Sequence, residues 1–260
     1  MEVGVRFVGH ATVLIESDGV RLLTDPFLGN RLGPLRRHGP TPDPVALGEI
    51  DLVLVSHAHP DHFDLPSLRA LAGDFSLIVP RGLGRAARRS GHRVREIRTG
   101  QTIEERGRQV TAVHARHWRW PLEARARTLG YLVDGAVMVY FAGDTAPFAG
   151  LARLAGRVDL ALLPVGSWGP HLGPGHLDPE GAAGIAGLIG PEIAIPIHWG
   201  TFYPPLLHRL HRGPLDDPGR QFRDHAALLA PAVEVRVLRP GDGARLVMQG
   251  APPRPLAGEG

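Results

Sequence analysis

Hydrophobic and polar positions alternate over the first part of the chain in a way that predicts strands. Residues 5–16 have the pattern of a strand, Asp18-Gly19 is a hairpin-turn dipeptide, and residues 20–26 form the returning strand. The apolar run at 51–55 predicts a buried strand. Residues 28–48 mix Gly, Pro and Arg without periodicity, which indicates a long loop, either a flap over a substrate or a plain surface excursion.

Strands and helices alternate through most of the remaining chain. The periodicity predicts helices at 65–72, 83–90, 148–154, 179–189 and 220–229. It predicts strands at 76–80, 94–97, 158–163 and 193–197, several strands within 102–140 with a hairpin at 133–136, and a closing hairpin at 233–247. Two strand-rich sections, each followed by helix-strand alternation, predict an α/β fold of two sheets packed face to face with helices outside.

Composition indicates one domain. The chain has 260 residues, 43% of them hydrophobic, which is enough for one sizeable core over residues 1–249. Residues 250–260 are rich in Pro and Gly, and we predict a disordered tail there. The first residues lack a basic segment followed by a long apolar run, and no apolar stretch approaches about 18 residues. We therefore expect a soluble, cytoplasmic protein without a transmembrane segment.

Charge and cysteine content limit the partners and the metal ligands that this chain can have. The net charge is only +3, and all 29 basic residues are arginine, so we expect no nucleic-acid partner. The densest basic run, between Arg81 and Arg98, indicates either a solvated helix face or a patch that attracts anions. Because there is no cysteine, a metal site would use nitrogen and oxygen ligands alone. An oligomer is possible.

The segment Ser56-His57-Ala58-His59-Pro60-Asp61-His62 follows the buried apolar run directly. Three imidazoles and a carboxylate so close together are unsuited to a core, whereas they suit Zn²⁺, Fe or Mn²⁺. The spacing His-x-His-x-Asp-His can serve two ions at once. The alternative is a polar loop that happens to be rich in histidine.

Three more candidate ligands follow apolar strands: His117, Asp144 and His198. Catalytic groups in open α/β sheets collect at strand ends, where separate segments converge. His114 competes with His117, because side chains three positions apart on a strand point to opposite faces and only one can enter the site.

Taken in order, these ligands resemble the metallo-β-lactamase superfamily. Finer matches resemble the branch that contains N-acyl-phosphatidylethanolamine-hydrolysing phospholipase D and the ascorbate-6-phosphate lactonases. The matching segments are Val8-Gly9-His10-Ala11-Thr12, Leu23-Thr24-Asp25-Pro26, Ala115-Arg116-His117-Trp118, Phe141-Ala142-Gly143-Asp144-Thr145, Pro164-Val165-Gly166, His176-Leu177-Asp178-Pro179-Glu180 and His198-Trp199-Gly200-Thr201-Phe202. The resemblance implies a four-layer αββα sandwich with a dinuclear site between the sheets.

The resemblance also implies the ligand set. His57, His59 and His117 would bind a first ion. Asp61, His62 and His198 would bind a second, and Asp144 would bridge. The family places its third histidine just before an aromatic residue, which favours His117 over His114. Two divalent metal ions are implied, Zn²⁺ first, with Mn²⁺ or Fe²⁺ as alternatives.

Candidate catalytic residues are Asp61, Asp144 and His176. His176 could bind an anionic group or donate a proton to the leaving oxygen, or it could be structural. Asp25 and His10 could orient the ligands, Asp25 alternatively forming a turn and His10 filling the core.

These residues predict a metal-dependent hydrolase whose bridging hydroxide cleaves a phosphodiester or a related ester, with a small anionic or ester substrate. The first alternative is a lactonase acting on a phosphorylated sugar lactone. From other classes, a non-catalytic metal-binding protein or a nucleic-acid-processing protein of the same fold is the alternative.

Overall fold

The computed structural model describes residues 1–118, 126–169, 172–210 and 212–249. The tail predicted at 250–260 lies outside these ranges, so that prediction stays untested. Among the described residues, every helix is too short or too polar to cross a membrane.

Strands and helices are numbered in chain order. The strands are β1 Glu2–Gly9, β2 Thr12–Ser17, β3 Val20–Thr24, β4 Arg31–Leu32, β5 Leu35–Arg37, β6 Leu52–Leu54, β7 Ser76–Pro80, β8 Arg93–Ile97, β9 Thr102–Glu105, β10 Arg108–His114, β11 Leu129–Val133, β12 Val139–Phe141, β13 Leu160–Pro164, β14 Ile193–Ile197, β15 Phe202–Tyr203, β16 Glu234–Val235 and β17 Gly243–Val247. The α-helices are α1 Leu65–Ala70, α2 Gly84–Ala87, α3 Pro179–Ile189, α4 Gly213–Asp216 and α5 Pro218–Leu229. Short 3₁₀ helices span Val45–Leu47, Arg88–Ser90, Ala149–Leu154 and Leu207–Arg209.

Two seven-stranded sheets form the centre of the fold, which confirms the predicted α/β class. The first sheet has the order β17-β1-β2-β3-β6-β7-β8, and the second has the order β16-β14-β13-β12-β11-β10-β9. Helices α1 and α2 cover the first sheet, and α3 and α5 lie against the second. This arrangement is the predicted four-layer αββα sandwich.

Strand β6 shows why both faces of a sheet are apolar. Leu52 and Leu54 point into the cluster between the two sheets, whereas Val53 and Val55 pack with Leu68 of α1. Side chains alternate across a strand, so a strand covered on both faces needs apolar residues at every position. A continuous apolar run is therefore the sequence pattern of these central strands.

The predicted single strand over residues 5–16 is wrong. The chain reverses at residues 10 and 11, and β1 pairs with β2 antiparallel. Gly9 has a φ of 133° and His10 a φ of 58°. Residues 9–12 of this turn are buried and contain no Asn-Gly or Asp-Gly pair, so the usual hairpin signal is absent.

The predicted closing hairpin at 233–247 is also wrong. Strand β16 lies parallel to β14 in the second sheet, whereas β17 lies antiparallel to β1 in the first. Both segments are short strands that a local pattern would pair with each other. Instead, each of them pairs with the free edge of a different sheet.

Residues 28–48 contain more structure than a plain loop. Strands β4 and β5 form a hairpin, and β5 pairs with β15 in a small third sheet. Arg37 secures the hairpin, since its Nη2 donates to the Phe27 carbonyl at 2.6 Å and its guanidinium lies 4.8 Å from the centre of the Phe202 ring. Burial lowers the pKa of Arg37 to about 10.

Candidate metal centre

Potential metal ligands converge at one edge of the sandwich. Residues 57–62 follow β6, Asp144 follows β12, and His198 follows β14. His117 comes three residues after β10. Strands β12 and β14 both run parallel to β13, so their carboxyl ends open on the same edge, where loops of the first sheet meet them.

The first histidine group consists of His57, His59 and His117. The His57 Nε2 and His117 Nε2 atoms lie 2.8 and 3.2 Å from His59 Nδ1. These three nitrogens all lie within 4.8 Å of one another, which suits one bound ion.

The second ligand group consists of Asp61, His62 and His198. The His62 Nε2 atom lies 3.1 Å from His198 Nε2 and 3.3 Å from Asp61 Oδ2. His10 joins this group, because its Nε2 lies 2.8 Å from Asp61 Oδ2. All four side chains are buried.

Asp144 lies between the two groups. Its Oδ2 lies 3.2 Å from His62 Nε2, 3.8 Å from His57 Nε2 and 3.9 Å from His117 Nε2. Its Oδ1 lies 3.3 Å from His198 Nε2. Both oxygens are buried and have no hydrogen-bond donor among the described residues. A buried carboxylate in this condition is costly unless a cation satisfies it.

In four of the ligand histidines, an oxygen holds the nitrogen that faces away from the cluster. His62 Nδ1 donates to Asp25 Oδ2 at 2.6 Å, and His57 Nδ1 donates to Ser56 Oγ at 2.9 Å. The Nδ1 atoms of His117 and His198 donate to the carbonyls of residues 175 and 166 at 2.9 and 3.0 Å. A neutral imidazole whose Nδ1 carries the proton presents a lone pair on Nε2.

This orientation tests whether the residues fit a metal. With four Nδ1 protons facing outward, the Nε2 lone pairs all face the centre. Lone pairs at about 3 Å repel one another unless a proton or a cation lies between them. The donor set, imidazole nitrogen and carboxylate oxygen without sulfur, therefore fits divalent Zn²⁺, Mn²⁺ or Fe²⁺.

Electrostatics in the metal-free cluster follow from burial and from its carboxylates. Burial lowers the pKa of His57 well below its usual value, that of His117 to about 4 and that of His10 to about 3. Burial would also lower the pKa of His62, but Asp144 and Asp61 outweigh it and raise that pKa. In the absence of a metal, the two carboxylates thus favour protonation of His62.

Backbone strain marks the same residues. His10, Asp25 and His198 have φ values of 58°, 33° and 63°. Side chains other than glycine rarely adopt this left-handed region, and strained backbone clusters at functional sites. The strained positions direct three polar side chains to one point.

His114 and His117 occupy different surroundings. His114 is the last residue of β10, is exposed and contacts the Phe148 ring at 5.0 Å between ring centres. His117 lies beyond the strand end and inside the cluster. The alternation of side chains along a strand therefore does not apply to this pair, because His117 lies beyond the strand. The loop after β10 brings only His117 to the other ligands.

His176 lies beside Asp144. Its Nε2 is 3.3 Å from Asp144 Oδ2, and its Nδ1 donates to the carbonyl of residue 173 at 3.0 Å. Burial lowers its pKa, but the neighbouring Asp144 carboxylate outweighs burial and raises it. The side chain is 13% exposed, so solvent reaches this part of the cluster.

Sequence reasoning missed two residues that organise the site. The Ser56 amide and hydroxyl both donate to Asp25 at 2.6 Å, and the same hydroxyl supports His57. Thr201 Oγ1 accepts from the His10 amide at 2.7 Å. Both residues stood inside recognised segments, but nothing in the sequence showed that their hydroxyls point inward.

Comparison with known proteins identifies the family of this chain. A family model described as Beta-lactamase superfamily domain matches residues 20–199. The chain belongs to the metallo-β-lactamase superfamily. A UPF0173 metal-dependent hydrolase of Methanopyrus kandleri is 33% identical over 253 residues, which cover 92% of this chain and 97% of that protein.

Other similarities add to the comparison. N-acyl-phosphatidylethanolamine-hydrolyzing phospholipase D 1 of Caenorhabditis elegans is 28% identical over 230 residues, covering 75% of this chain and 63% of the phospholipase. A Mycobacterium tuberculosis relative is 34% identical, and the match spans only 59% of its length. The structure of Igni18, a metallo hydrolase from Ignicoccus hospitalis, has a TM-score of 0.72 at 23% identity, covering 95% and 99% of the two chains.

Proposed function

We propose that this protein is a metal-dependent hydrolase that holds two divalent cations and cleaves a phosphodiester or a related ester. The observation that carries the proposal is the Asp144 carboxylate. It is buried, it lacks hydrogen-bond donors among the described residues, and imidazoles of both ligand groups surround it. The Methanopyrus relative, named a metal-dependent hydrolase, supports it.

The two ligand groups divide the proposed ions between them. The first histidine group would hold one cation, the second ligand group would hold the other, and Asp144 has an oxygen available for each. Two such cations supply a water that is acidic enough to act as a nucleophile near neutral pH, and they stabilise the oxygen that gains charge.

The surrounding residues orient the ligands. Asp25 accepts the His62 Nδ1 proton and thereby fixes that ring, while His10 hydrogen-bonds Asp61. Contacts of this kind hold ligand atoms in position. Mutation of such a supporting residue commonly lowers metal affinity about 10–100-fold.

His176 is placed to handle the leaving group. Hydrolysis adds water across the ester, and the departing oxygen must gain a proton as its bond breaks. His176 Nε2 is at the partly exposed side of the cluster, within 3.3 Å of Asp144, and can carry that proton. Its hydrogen bond to the carbonyl of residue 173 fixes the ring.

Metal analysis combined with two assays tests the proposal. We expect about two ions per chain by mass spectrometry, and hydrolysis of bis(p-nitrophenyl) phosphate by the same sample. Hydrolysis of a simple lactone alone would replace the phosphodiester by a lactone as substrate. A folded protein that binds no metal and stays inert with Zn²⁺ or Mn²⁺ would overturn the proposal.

A further inference from the structure

A cleft separate from the candidate metal centre lies at the edge of the first sheet where β6, β7 and β8 end. Its volume is about 530 Å³, and its walls come from the ends of β7 and β8 and from the residues around the start of β11. Three arginines line this arginine cleft, namely Arg81, Arg98 and Arg127. All three are exposed.

These arginines lack the partners that their neighbours have. Arg95 pairs with Glu105 at 2.9 Å, and Arg88 lies 3.8 Å from Glu96. Within residues 1–118, 126–169, 172–210 and 212–249, no carboxylate pairs with the three guanidinium groups of the arginine cleft. The basic run at 81–98 is thus divided between paired arginines and unpaired ones.

Glu96 is an acidic side chain in the wall of the arginine cleft, but its carboxylate contacts groups other than the three arginines. Glu96 Oε1 accepts the backbone amides of Gly82 and Gly84 at 2.8 and 3.1 Å. Its other oxygen faces Arg88. The carboxylate is therefore engaged by backbone and by an arginine outside the arginine cleft.

Three guanidinium groups around one cleft, without a carboxylate partner in the part of the chain that the structure describes, are suited to an anion with more than one negative charge. Each guanidinium offers five N–H donors in a planar fork that matches the oxygens of a phosphate. Such charge-assisted hydrogen bonds are about twice as strong as neutral ones. A phosphomonoester dianion fits this donor set better than a monoanionic carboxylate.

The arginine cleft lies close to the metal centre. Leu129 in its wall donates its amide to the Ser56 carbonyl at 3.0 Å, and Ser56 precedes the ligand His57. Strands β7 and β8 are the next two strands beyond β6 in the sheet. At about 4.8 Å per strand, the far wall is roughly 10 Å from the end of β6.

We infer that the arginine cleft binds the terminal phosphate of the substrate. The substrate class is then an ester that carries a phosphomonoester group at a distance from the bond that is cleaved. This assignment of the substrate rests on the proposed hydrolase function, whereas phosphate binding by the arginine cleft does not.

Titration calorimetry with inorganic phosphate tests the binding on the full-length, metal-loaded protein. We expect Arg98→Ala to raise the Kd about tenfold or more, since it removes charge-assisted hydrogen bonds. Arg98→Lys should recover part of the affinity, because it restores the charge without the fork. Arg153→Ala, which removes an exposed arginine elsewhere, should leave the Kd unchanged.

Phosphate could instead bind only at the metal centre, and Asp144→Ala separates the two sites. If the arginine cleft binds phosphate, Asp144→Ala retains a phosphate site that the triple variant Arg81→Ala/Arg98→Ala/Arg127→Ala loses. Equal phosphate affinity in Asp144→Ala and in the same variant with the three arginines also replaced overturns the inference.

Kinetics test the link to the substrate. The probes are p-nitrophenyl hexanoate and the same ester with a phosphate on its terminal carbon. We expect the wild type to have the lower KM for the phosphorylated ester and Arg98→Ala to reduce that preference about tenfold. No preference in the wild type would remove the substrate assignment. Failure to hydrolyse either ester would count against the proposed function while calorimetry still decides the phosphate site.

Discussion

The two ligand groups of the candidate metal centre differ in what supports them. In the second ligand group, buried side chains fix the ligands, with Asp25 on His62 and His10 on Asp61. In the first histidine group, His117 depends on a loop carbonyl, and His59 is partly exposed. A carbonyl also holds one ligand of the second group, His198, and a buried hydroxyl holds His57 of the first. The second group is therefore the more fully buried of the two, and side chains support two of its three ligands.

The two ligand groups of one metal centre can therefore differ in rigidity. A side chain held within a packed core moves less than one held by a loop over the surface. We therefore expect the ion of the second ligand group to be held more firmly than the ion of the first. The following predictions test that contrast.

Asp144→Ala should have the largest effect, because Asp144 contacts both groups. We expect turnover to fall by about three orders of magnitude or more. The circular dichroism spectrum should be unchanged, since the substitution removes a buried carboxylate without hydrogen-bond donors among the described residues. Undiminished kcat would contradict a role between the two ions.

His117→Ala and His114→Ala form a matched pair. Loss of His117 removes a nitrogen of the first histidine group, so the bound metal should fall from about two ions to about one. His114 contacts Phe148 outside the cluster, and its replacement should retain both ions. Metal analysis of dialysed samples measures this, and the reverse result would exchange the roles of the two histidines.

His176→Ala should reduce kcat about a hundredfold with little loss of metal, because His176 is placed to donate a proton. The loss should be greatest for a substrate with a basic leaving group. His225, on the outer helix α5, provides the control through His225→Ala. Normal kinetics for the His176 variant would return this residue to a structural role.

Asp25→Asn should weaken metal binding by the second ligand group about 10–100-fold. The carboxylate accepts from Ser56 and from His62, and an amide in its place would set an N–H group against one of these donors. Asp51→Asn is the control, since Asp51 accepts the Arg21 amide elsewhere. Zinc competition titration measures the difference, and equal affinities would contradict an orienting role for Asp25.

The pH dependence should differ between the groups. In the metal-free protein the raised pKa of His62 means that a metal must displace its proton. Affinity of the second ligand group should therefore increase with pH, at most about tenfold per unit, until the pH exceeds that pKa. The pKa of His117 is about 4, so protonation of His117 should not weaken the first group at neutral pH. The His117→Ala variant retains only the second ligand group, so zinc titrations of this variant measure how the affinity of that group depends on pH. An affinity independent of pH would contradict the prediction for His62.

Much of the fold followed from local patterns. The apolar run of β6, the helix α3 with its Asp178 cap and the hairpin between β11 and β12 were all predicted, and the structure has them. The turn at His10 was not predicted, because it lacks an Asn-Gly or Asp-Gly pair and its residues are buried. The destinations of β16 and β17 were wrong, because strand pairing depends on which sheet edge remains free.

The sequence by itself determined the donor set, because histidine and aspartate at strand ends, without cysteine, have few other uses. It also determined the layers, because strands buried on both faces must be apolar throughout. The tertiary structure was needed to show which outer groups orient the histidine rings, which strand each short segment joins, and which arginines pair with a carboxylate among the described residues. These properties depend on distances between residues far apart in the chain, and local spacing carries no information about such distances.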